Sequence, residues 1–135
     1  MATKPQAISA PELASVPAAK FFYNHAVRHG SQLWISGQVS MNADGAVVGE
    51  GDITRQAEQV FENLSAVVRA AGGDLSHVVS TTTYVTDRSL LLPVNEVRGR
   101  YLASDPAPTS TLLVVAGLAR PQFLLEISAV AVLPE

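Results

Sequence analysis

The sequence predicts an α+β protein in which two amphipathic helices cover one face of a mixed β-sheet. Its 135 residues fit one domain. Two segments repeat apolar residues at helical spacing, and the segments around them are alternating or β-branched runs typical of strands. The predicted order is β-β-(β)-α-β-α-β-β, in which the bracketed strand is short.

The first elements are a lead-in and a hairpin. Residues 1–20 are rich in alanine and proline and show no periodicity, which predicts an extended, partly mobile lead-in to a single domain over residues 21–135. Strand-like runs over 22–28 and 33–39 flank His29-Gly30-Ser31-Gln32, a pattern typical of a hairpin.

Gly37 interrupts the second of these runs. An isolated glycine within a strand indicates a bulge or the close approach of another group to the backbone. The turn Asn42-Ala43-Asp44-Gly45 follows, and residues 46–48 form the short bracketed strand.

The strongest predicted element is a helix over 52–71. Asp52 is a good N-cap, and Gly72-Gly73 provides a stop. A second helix over 90–103 carries Pro93 in its first turn. The apolar stripe of the first helix consists of Ile53, Ala57, Val60, Phe61, Leu64, Val67, Val68 and Ala71.

Three further strands complete the predicted sheet, over 75–86, 109–115 and 123–132. Two helices can cover only one face of such a sheet. Charged residues make up 16% of the chain, well below the average of about 25%. We therefore expect the open face to pack against another copy of the chain.

The composition argues against several classes of protein. The chain has no cysteine, so disulfides, thiolate metal sites and cysteine nucleophiles are absent. No apolar run resembles a signal-peptide core or reaches the roughly 18 residues of a membrane span. The net charge is −3 and basic residues are not clustered. We expect a cytoplasmic protein that binds neither membrane nor nucleic acid.

The spacing of the histidines also predicts no metal site. His25 and His29 could share a strand face, but four strand residues separate them by roughly 13 Å. His77 lies far away in the sequence, and no metal-ligand or phosphate-loop motif occurs. The remaining class of partner is a small organic molecule.

Glu126 is the most informative candidate for chemistry, because it interrupts an otherwise apolar strand. Alternation places it on one face with Leu124, Ser128 and Val130. One interpretation is a solvated strand face, since glutamate is rarely buried without a partner. The other is a general base whose pKa is raised by partial burial.

Ser36-Gly37-Gln38 is the second candidate. It is either a bulge that bends a strand or a hydroxyl and backbone cradle for a polar ligand atom. Asn95 on the second helix and Tyr23 on the first strand are further polar candidates, although residues of these types in such places are more often structural than functional.

Taken together, these segments resemble the RidA/YjgF family, the reactive intermediate deaminases. The resemblance covers roughly residues 20–133. Its segments are specific for the family when taken together, whereas no single segment is specific by itself. The segments that carry it are Tyr23-Asn24-His25-Ala26-Val27, Trp34-Ile35-Ser36-Gly37-Gln38-Val39, Asp44-Gly45, Gln56 through Asn63-Leu64, Ala70-Ala71-Gly72, residues 78–87, Val94-Asn95-Glu96-Val97 and residues 118–131 with Glu126-Ile127.

The resemblance implies a chorismate-mutase-like fold and a homotrimer with sites in the clefts between subunits. It implies hydrolysis of reactive enamines and imines, such as 2-aminoacrylate and its imine tautomer, to keto acids and ammonia without a cofactor. Glu126 would accept the proton of the attacking water, and Ser36 and Gly37 would orient water or substrate. Tyr23 and Asn95 would contact the substrate or shape the cleft, since all four polar residues match family positions.

One departure concerns substrate recognition. Members that act on 2-imino acids carry an arginine in a Pro-Ala-Arg-Ser pattern, where it holds the substrate carboxylate. Here the corresponding residue is Ser110, within Pro108-Thr109-Ser110-Thr111. The sequence therefore predicts weak activity on simple 2-imino acids and a larger or less acidic substrate, unless Arg120 supplies the charge. A non-catalytic small-molecule binding or sensing trimer is one alternative, and an endoribonuclease is a less favoured one.

Overall fold

A computed structural model describes residues 4–134 and confirms the α+β fold. The six strands are β1 (Gln6–Ile8), β2 (Ala26–His29), β3 (Gln32–Gln38), β4 (Val78–Val85), β5 (Thr109–Val114) and β6 (Leu125–Val132). The helices are α1 (Ala18–Phe21), α2 (Ile53–Ala70) and α3 (Leu91–Tyr101), with single 3-10 turns at Leu75–His77 and Arg88–Leu90.

The strands form one mixed sheet in the order β1-β2-β3-β6-β4-β5. All neighbours are antiparallel except β4 and β5, which run parallel. The predicted hairpin joins β2 to β3, and Gly30 has the positive φ of 63° that such a tight turn favours. β6 lies at the centre of the sheet between β3 and β4.

Helices α2 and α3 cover one face of this sheet, as predicted. The Asp52 carboxylate accepts a hydrogen bond from the Arg55 backbone N–H at 3.1 Å and begins α2. The apolar stripe of α2 packs on β3 and β6, and Phe61 stacks on Tyr101 of α3 at 5.2 Å between ring centroids. None of the helices within residues 4–134 is both long and apolar enough to cross a membrane.

Two buried amides of α2 fasten loops to the helix. Gln56 donates to the carbonyls of Gly49 and Gln122 and accepts from the Leu124 N–H at 3.0 Å. Asn63 donates to the carbonyls of Val39 and Met41, each at 3.1 Å. These bonds hold the chain that follows β3 and the chain that precedes β6 in fixed positions.

The structure differs from the sequence prediction in four elements. Of the strand predicted over 75–86, Leu75–His77 form a 3-10 turn instead, and β4 begins at Val78. The predicted lead-in over residues 1–20 contains β1, which pairs with β2, and most of α1. Residues 1–3 of the lead-in and residue 135 lie outside the described residues. The strand predicted over 22–28 begins only at Ala26, because Phe22 caps α1 in a left-handed conformation with φ 63°. In place of a strand over 46–48 there is one isolated bridge between Met41 and Val47.

The face of the sheet opposite the helices is open. Along β6, Leu125, Ile127 and Ala129 are buried beneath the helices, whereas Glu126 and Ser128 alternate onto the open face. Trp34 pairs with Val130 and therefore lies on the same open face, where 44% of its surface remains exposed. An exposed tryptophan at the middle of a sheet face is typical of a surface that another protein covers.

Candidate functional site

A cleft of about 370 Å³ lies where the β3 bulge meets the start of β6. Five of the residues singled out from the sequence line it: Tyr23, Gly37, Gln38, Arg120 and Glu126. The remaining lining is mostly apolar and comes from residues 13–17, α1, the chain after β3 and the loop before β6.

The bulge in β3 brings the backbone against the Glu126 carboxylate. The register between β3 and β6 shifts between Ile35 and Gln38, so Gly37 leaves the regular ladder. A β-carbon on Gly37 would overlap the side chain of Glu126. The predictions of a bulge and of a close approach at Gly37 are therefore both confirmed, and the group that approaches is Glu126.

Glu126 lies in a partly desolvated environment. Its side chain is half-buried, and this burial raises the pKa of the carboxyl above its ordinary value of 4.5. No ion pair involves Glu126 among the described residues. A carboxylate with a raised pKa in a largely apolar cleft has the properties of a general base.

Ser36 stands behind the cleft instead of lining it. Its hydroxyl donates to the carbonyl of Asn24 at 2.6 Å, and its backbone N–H donates to the carbonyl of His25 at 2.8 Å. These two bonds fix the chain between Tyr23 and β2 against the bulge. Within one chain, the Ser36 hydroxyl is therefore bonded to the protein itself and does not line the cleft.

His25 and Gln38, the last residue of the Ser36-Gly37-Gln38 candidate, form a polar pair at the cleft, and His25 was not predicted to have a functional role. His25 Nε2 lies 2.6 Å from the carbonyl of Ala14, and His25 Nδ1 lies 3.2 Å from Gln38 Nε2. The carbonyl can only accept, so His25 Nε2 is the donor in this bond. The bond to Ala14 holds residues 13–17 across the cleft. The signal in the sequence that could have placed His25 at the cleft is its spacing of two residues from Tyr23, which lets both side chains lie on one side of the chain.

Arg120 lies at the mouth of the cleft on the loop before β6. Its guanidinium carbon is 5.6 Å from the centroid of the Phe123 ring, a cation–π geometry. Phe123 is buried, whereas Arg120 is exposed. Arg120 can therefore contact an anionic ligand in the cleft, with its charge largely solvated.

Asn95 and Ser110 lie outside this cleft. Asn95 is exposed on α3, and Ser110 is exposed on the edge strand β5. Ser110 pairs with the buried Thr81, so its side chain is on the helix-covered face of the sheet, whereas Glu126 is on the open face. One ligand cannot contact Glu126 and Ser110 of the same chain.

The comparisons with known proteins agree with this architecture. The family model described as "Endoribonuclease L-PSP" matches residues 13–133. The chain belongs to this family, which is the RidA/YjgF family. No group of three or more His, Asp or Glu side chains suited to a metal ion occurs in the part of the family domain that the structure describes.

Two relatives and one solved structure illustrate the match. A RutC family protein of Synechocystis is 36% identical over 124 residues, covering 91% of this chain and 95% of the relative. The 2-iminobutanoate/2-iminopropanoate deaminase of Homo sapiens is 32% identical over 88% of this chain and 85% of its own length. The crystal structure of RidA from an Antarctic Psychrobacter covers 95% of this chain and 99% of its own, with 32% identity and a TM-score of 0.84.

Proposed function

We propose that the protein hydrolyses a small reactive imine, or the enamine in equilibrium with it, to a carbonyl compound and ammonia. The observation that carries the proposal is the half-buried Glu126 carboxylate held against the Gly37 backbone in an apolar cleft. The human relative named as an imine deaminase supports the same reaction class.

The reaction needs one group that accepts and returns a proton. The oxygen of water bonds to the carbon of the C=N group while Glu126 takes a proton from that water. Glu126 then returns this proton to the nitrogen, which gives a carbinolamine. It next takes the proton of the carbinolamine hydroxyl and passes it to the amine as the C–N bond breaks, so that ammonia leaves and C=O forms. No oxidant or reductant is consumed, and the carboxylate is regenerated.

The neighbouring residues position water and substrate. The close approach at Gly37 leaves its backbone facing the reacting atoms, and Ser36 fixes that backbone through its bond to Asn24. Tyr23 lies on the cleft wall with half of its surface exposed, so its hydroxyl can reach a polar substrate atom. Arg120 contacts the substrate at the mouth of the cleft.

The functional unit in this proposal is a homotrimer, in which Asn95 and Ser110 of one subunit complete the cleft of its neighbour. The exposed Trp34 and Val132 on the open face and the exposed strand β5 support it. We expect light scattering to give three times the 14.2 kDa chain mass at micromolar concentration. Trp34→Glu should lower that mass, because a charge at a buried interface is costly.

The same charge at an exposed turn is the matched control for assembly. Ala43 is exposed in the turn after β3, and Ala43→Glu should leave the mass unchanged. A wild-type protein that scatters as a monomer would contradict the shared cleft.

The raised pKa of Glu126 predicts opposite pH trends for activity and stability. Only the carboxylate accepts a proton, so kcat/KM should rise with pH through an apparent pKa above 4.5. Stability from protonated Glu126 is complete below the unfolded pKa and is lost as pH rises through the folded pKa. Glu126→Gln should therefore be more stable than wild type at neutral pH, with the difference vanishing below pH 4.5.

Chemical denaturation across pH measures the second trend. The matched control is Glu50→Gln, which alters an exposed carboxylate away from the cleft. Its stability at pH 7 should match that of wild type. If Glu126→Gln were less stable than wild type at pH 7, the carboxylate would stabilise the fold instead of lowering its stability as a partly buried base does.

The test of the function itself is ammonia release. Imines generated in situ from amino acids by an amino-acid oxidase, and simple enamines, are incubated with the protein, and ammonia and carbonyl product are quantified. We expect both products to form at equal rates. Binding of product without turnover of any imine or enamine would favour the sensing protein. Cleavage of RNA without turnover would favour the endoribonuclease, for which the mostly apolar cleft offers little support.

A further inference from the structure

Two of the four phenylalanines of the chain are adjacent in the sequence and exposed to solvent. Phe21 ends α1 with 54% of its surface exposed, and Phe22 follows with 86% exposed, whereas Phe61 and Phe123 are buried. Phe22 also has a positive φ of 63°, a conformation that bulky side chains rarely adopt. Neither core packing nor backbone preference explains aromatic residues at these positions, which indicates contact with a ligand or another surface.

Of the two rings, Phe21 lines the cleft and Phe22 does not. Phe21 shares this part of the wall with Pro17, the N-cap of α1, and with Tyr23. The Lys20 ammonium lies 5.3 Å from the centre of the Phe21 ring, a cation–π contact that restricts the motion of the ring. Phe21 therefore presents an ordered aromatic surface to the cleft, and Phe22 provides an internal comparison.

Much of the polar surface of the cleft wall is already bonded within the protein. His25 donates to the Ala14 carbonyl and lies 3.2 Å from the Gln38 amide nitrogen. The buried Asn63 amide donates to the Val39 carbonyl at 3.1 Å. Groups that already have hydrogen-bond partners gain little from a ligand, so these parts of the wall offer mainly apolar contact.

Few polar side chains of the wall lie outside these bonds: Glu126, Tyr23, Ser15 and Arg120. Glu126 acts on the reacting atoms in the proposed function, and Ser15 and Arg120 are exposed to solvent. A pocket with a few placed polar groups in otherwise apolar surroundings is typical of a site for a ligand with an apolar body and one polar end.

The volume of the cleft exceeds what a small imine requires. An apolar cavity of about 150 Å³ holds a whole benzene molecule, whereas the cleft measures about 370 Å³. It therefore has room for an aromatic ring in addition to the reacting C=N group. A substrate that carries only a methyl group would leave much of the apolar wall, including Phe21, in contact with water.

We infer that Phe21 and the apolar wall around it form a subsite for an aromatic ring of the substrate. The inference rests on the proposed function and names its substrate class: an imine or enamine with an aryl group on the carbon next to the reacting carbon. The ring of such a substrate packs against Phe21 while its C=N carbon lies beside Glu126. Phe21 is then a specificity-determining residue.

The first experiment compares two imines that differ only in the aryl group. The imines of phenylpyruvate and pyruvate, formed in situ by an amino-acid oxidase, carry the same carboxylate, so its contribution cancels in the ratio of their kcat/KM values. We expect the phenyl compound to be preferred about 10- to 100-fold after correction for spontaneous hydrolysis, as burial of an aromatic ring provides. Phe21→Ala should lower this preference about 3- to 10-fold, and Phe21→Leu should retain part of it.

Phe22→Ala is the matched control, because it removes a neighbouring, more exposed ring that does not line the cleft. It should leave the preference at the wild-type value. Light scattering accompanies both alanine variants, since an exposed ring can also contact another subunit. Loss of assembly in Phe21→Ala would assign this ring to a subunit contact and overturn the inference.

Binding of ring compounds provides a readout that needs no turnover. NMR titration is carried out with phenylpyruvate and with phenylacetone, which has the same ring but no acid. At least one of them should bind more tightly than its methyl counterpart, pyruvate or acetone. Phe21→Ala should weaken this binding about 3- to 10-fold, and Phe22→Ala should not change it.

The outcomes distinguish the inference from the proposed function. Turnover of imines without a preference for the phenyl compound, or ring binding that is absent or unaffected by Phe21→Ala, overturns the inference and leaves the proposed function standing. Ring binding that depends on Phe21, without turnover of any imine or enamine, supports the subsite and contradicts the proposed function.

Discussion

Glu126→Gln is expected to lower kcat for imine hydrolysis by about 10²–10⁴-fold, the usual contribution of a positioned general base. The amide keeps the shape of the side chain and its fit against Gly37, but it cannot accept a proton from water. Circular dichroism and light scattering should match wild type. The measurement is the steady-state rate of ammonia release under saturating imine.

Glu50→Gln is the control for this substitution. It likewise replaces a carboxylate with an amide, but at an exposed position away from the cleft, and should leave kcat unchanged. Turnover by Glu126→Gln at the wild-type rate would assign the proton transfer to another group and refute the mechanism, even though the family assignment would stand.

Gly37→Ala is expected to lower kcat about 100-fold, because displacing a catalytic group by about 1 Å has an effect of that size. The added methyl group would occupy the space of the Glu126 carboxylate, which must rotate away from the reacting carbon. Overpacking should also destabilise the fold by about 1–3 kcal/mol. Ammonia release and thermal unfolding measure the two effects.

Two further variants distinguish a loss of rate caused by displacement of Glu126 from a loss caused by a destabilised fold. Gly99→Ala, on exposed α3 with open space around the glycine, should stabilise the protein by about 0.5–1 kcal/mol through helix propensity and leave kcat unchanged. The double variant Gly37→Ala/Glu126→Gln should be no slower than Glu126→Gln alone, since the base is already lost. Fully additive losses would show that Gly37 acts independently of Glu126.

The sequence pattern predicts most of the fold, and tertiary contacts explain the elements that the pattern did not predict. Helix α2 has a capping aspartate, a continuous apolar stripe and terminal glycines, so local signals agree over its whole length. Strand β1 and helix α1 lack such signals. β1 is held by pairing with β2, and residues 13–17 are held by His25, eleven residues away from Ala14. Contacts between distant residues leave no periodicity to recognise.

For the site, the sequence by itself determined which chemistry was available. A lone glutamate in an apolar strand and a glycine that interrupts another strand are visible as breaks in a pattern, and both lie in the cleft. Only the tertiary structure decided that these breaks meet, since the β3–β6 pairing joins residues 89 positions apart in the chain. It also decided that the Arg98 guanidinium donates to the Thr81 and Thr83 hydroxyls, because the partners of a charge depend on which side chains pack together and not on their order in the sequence.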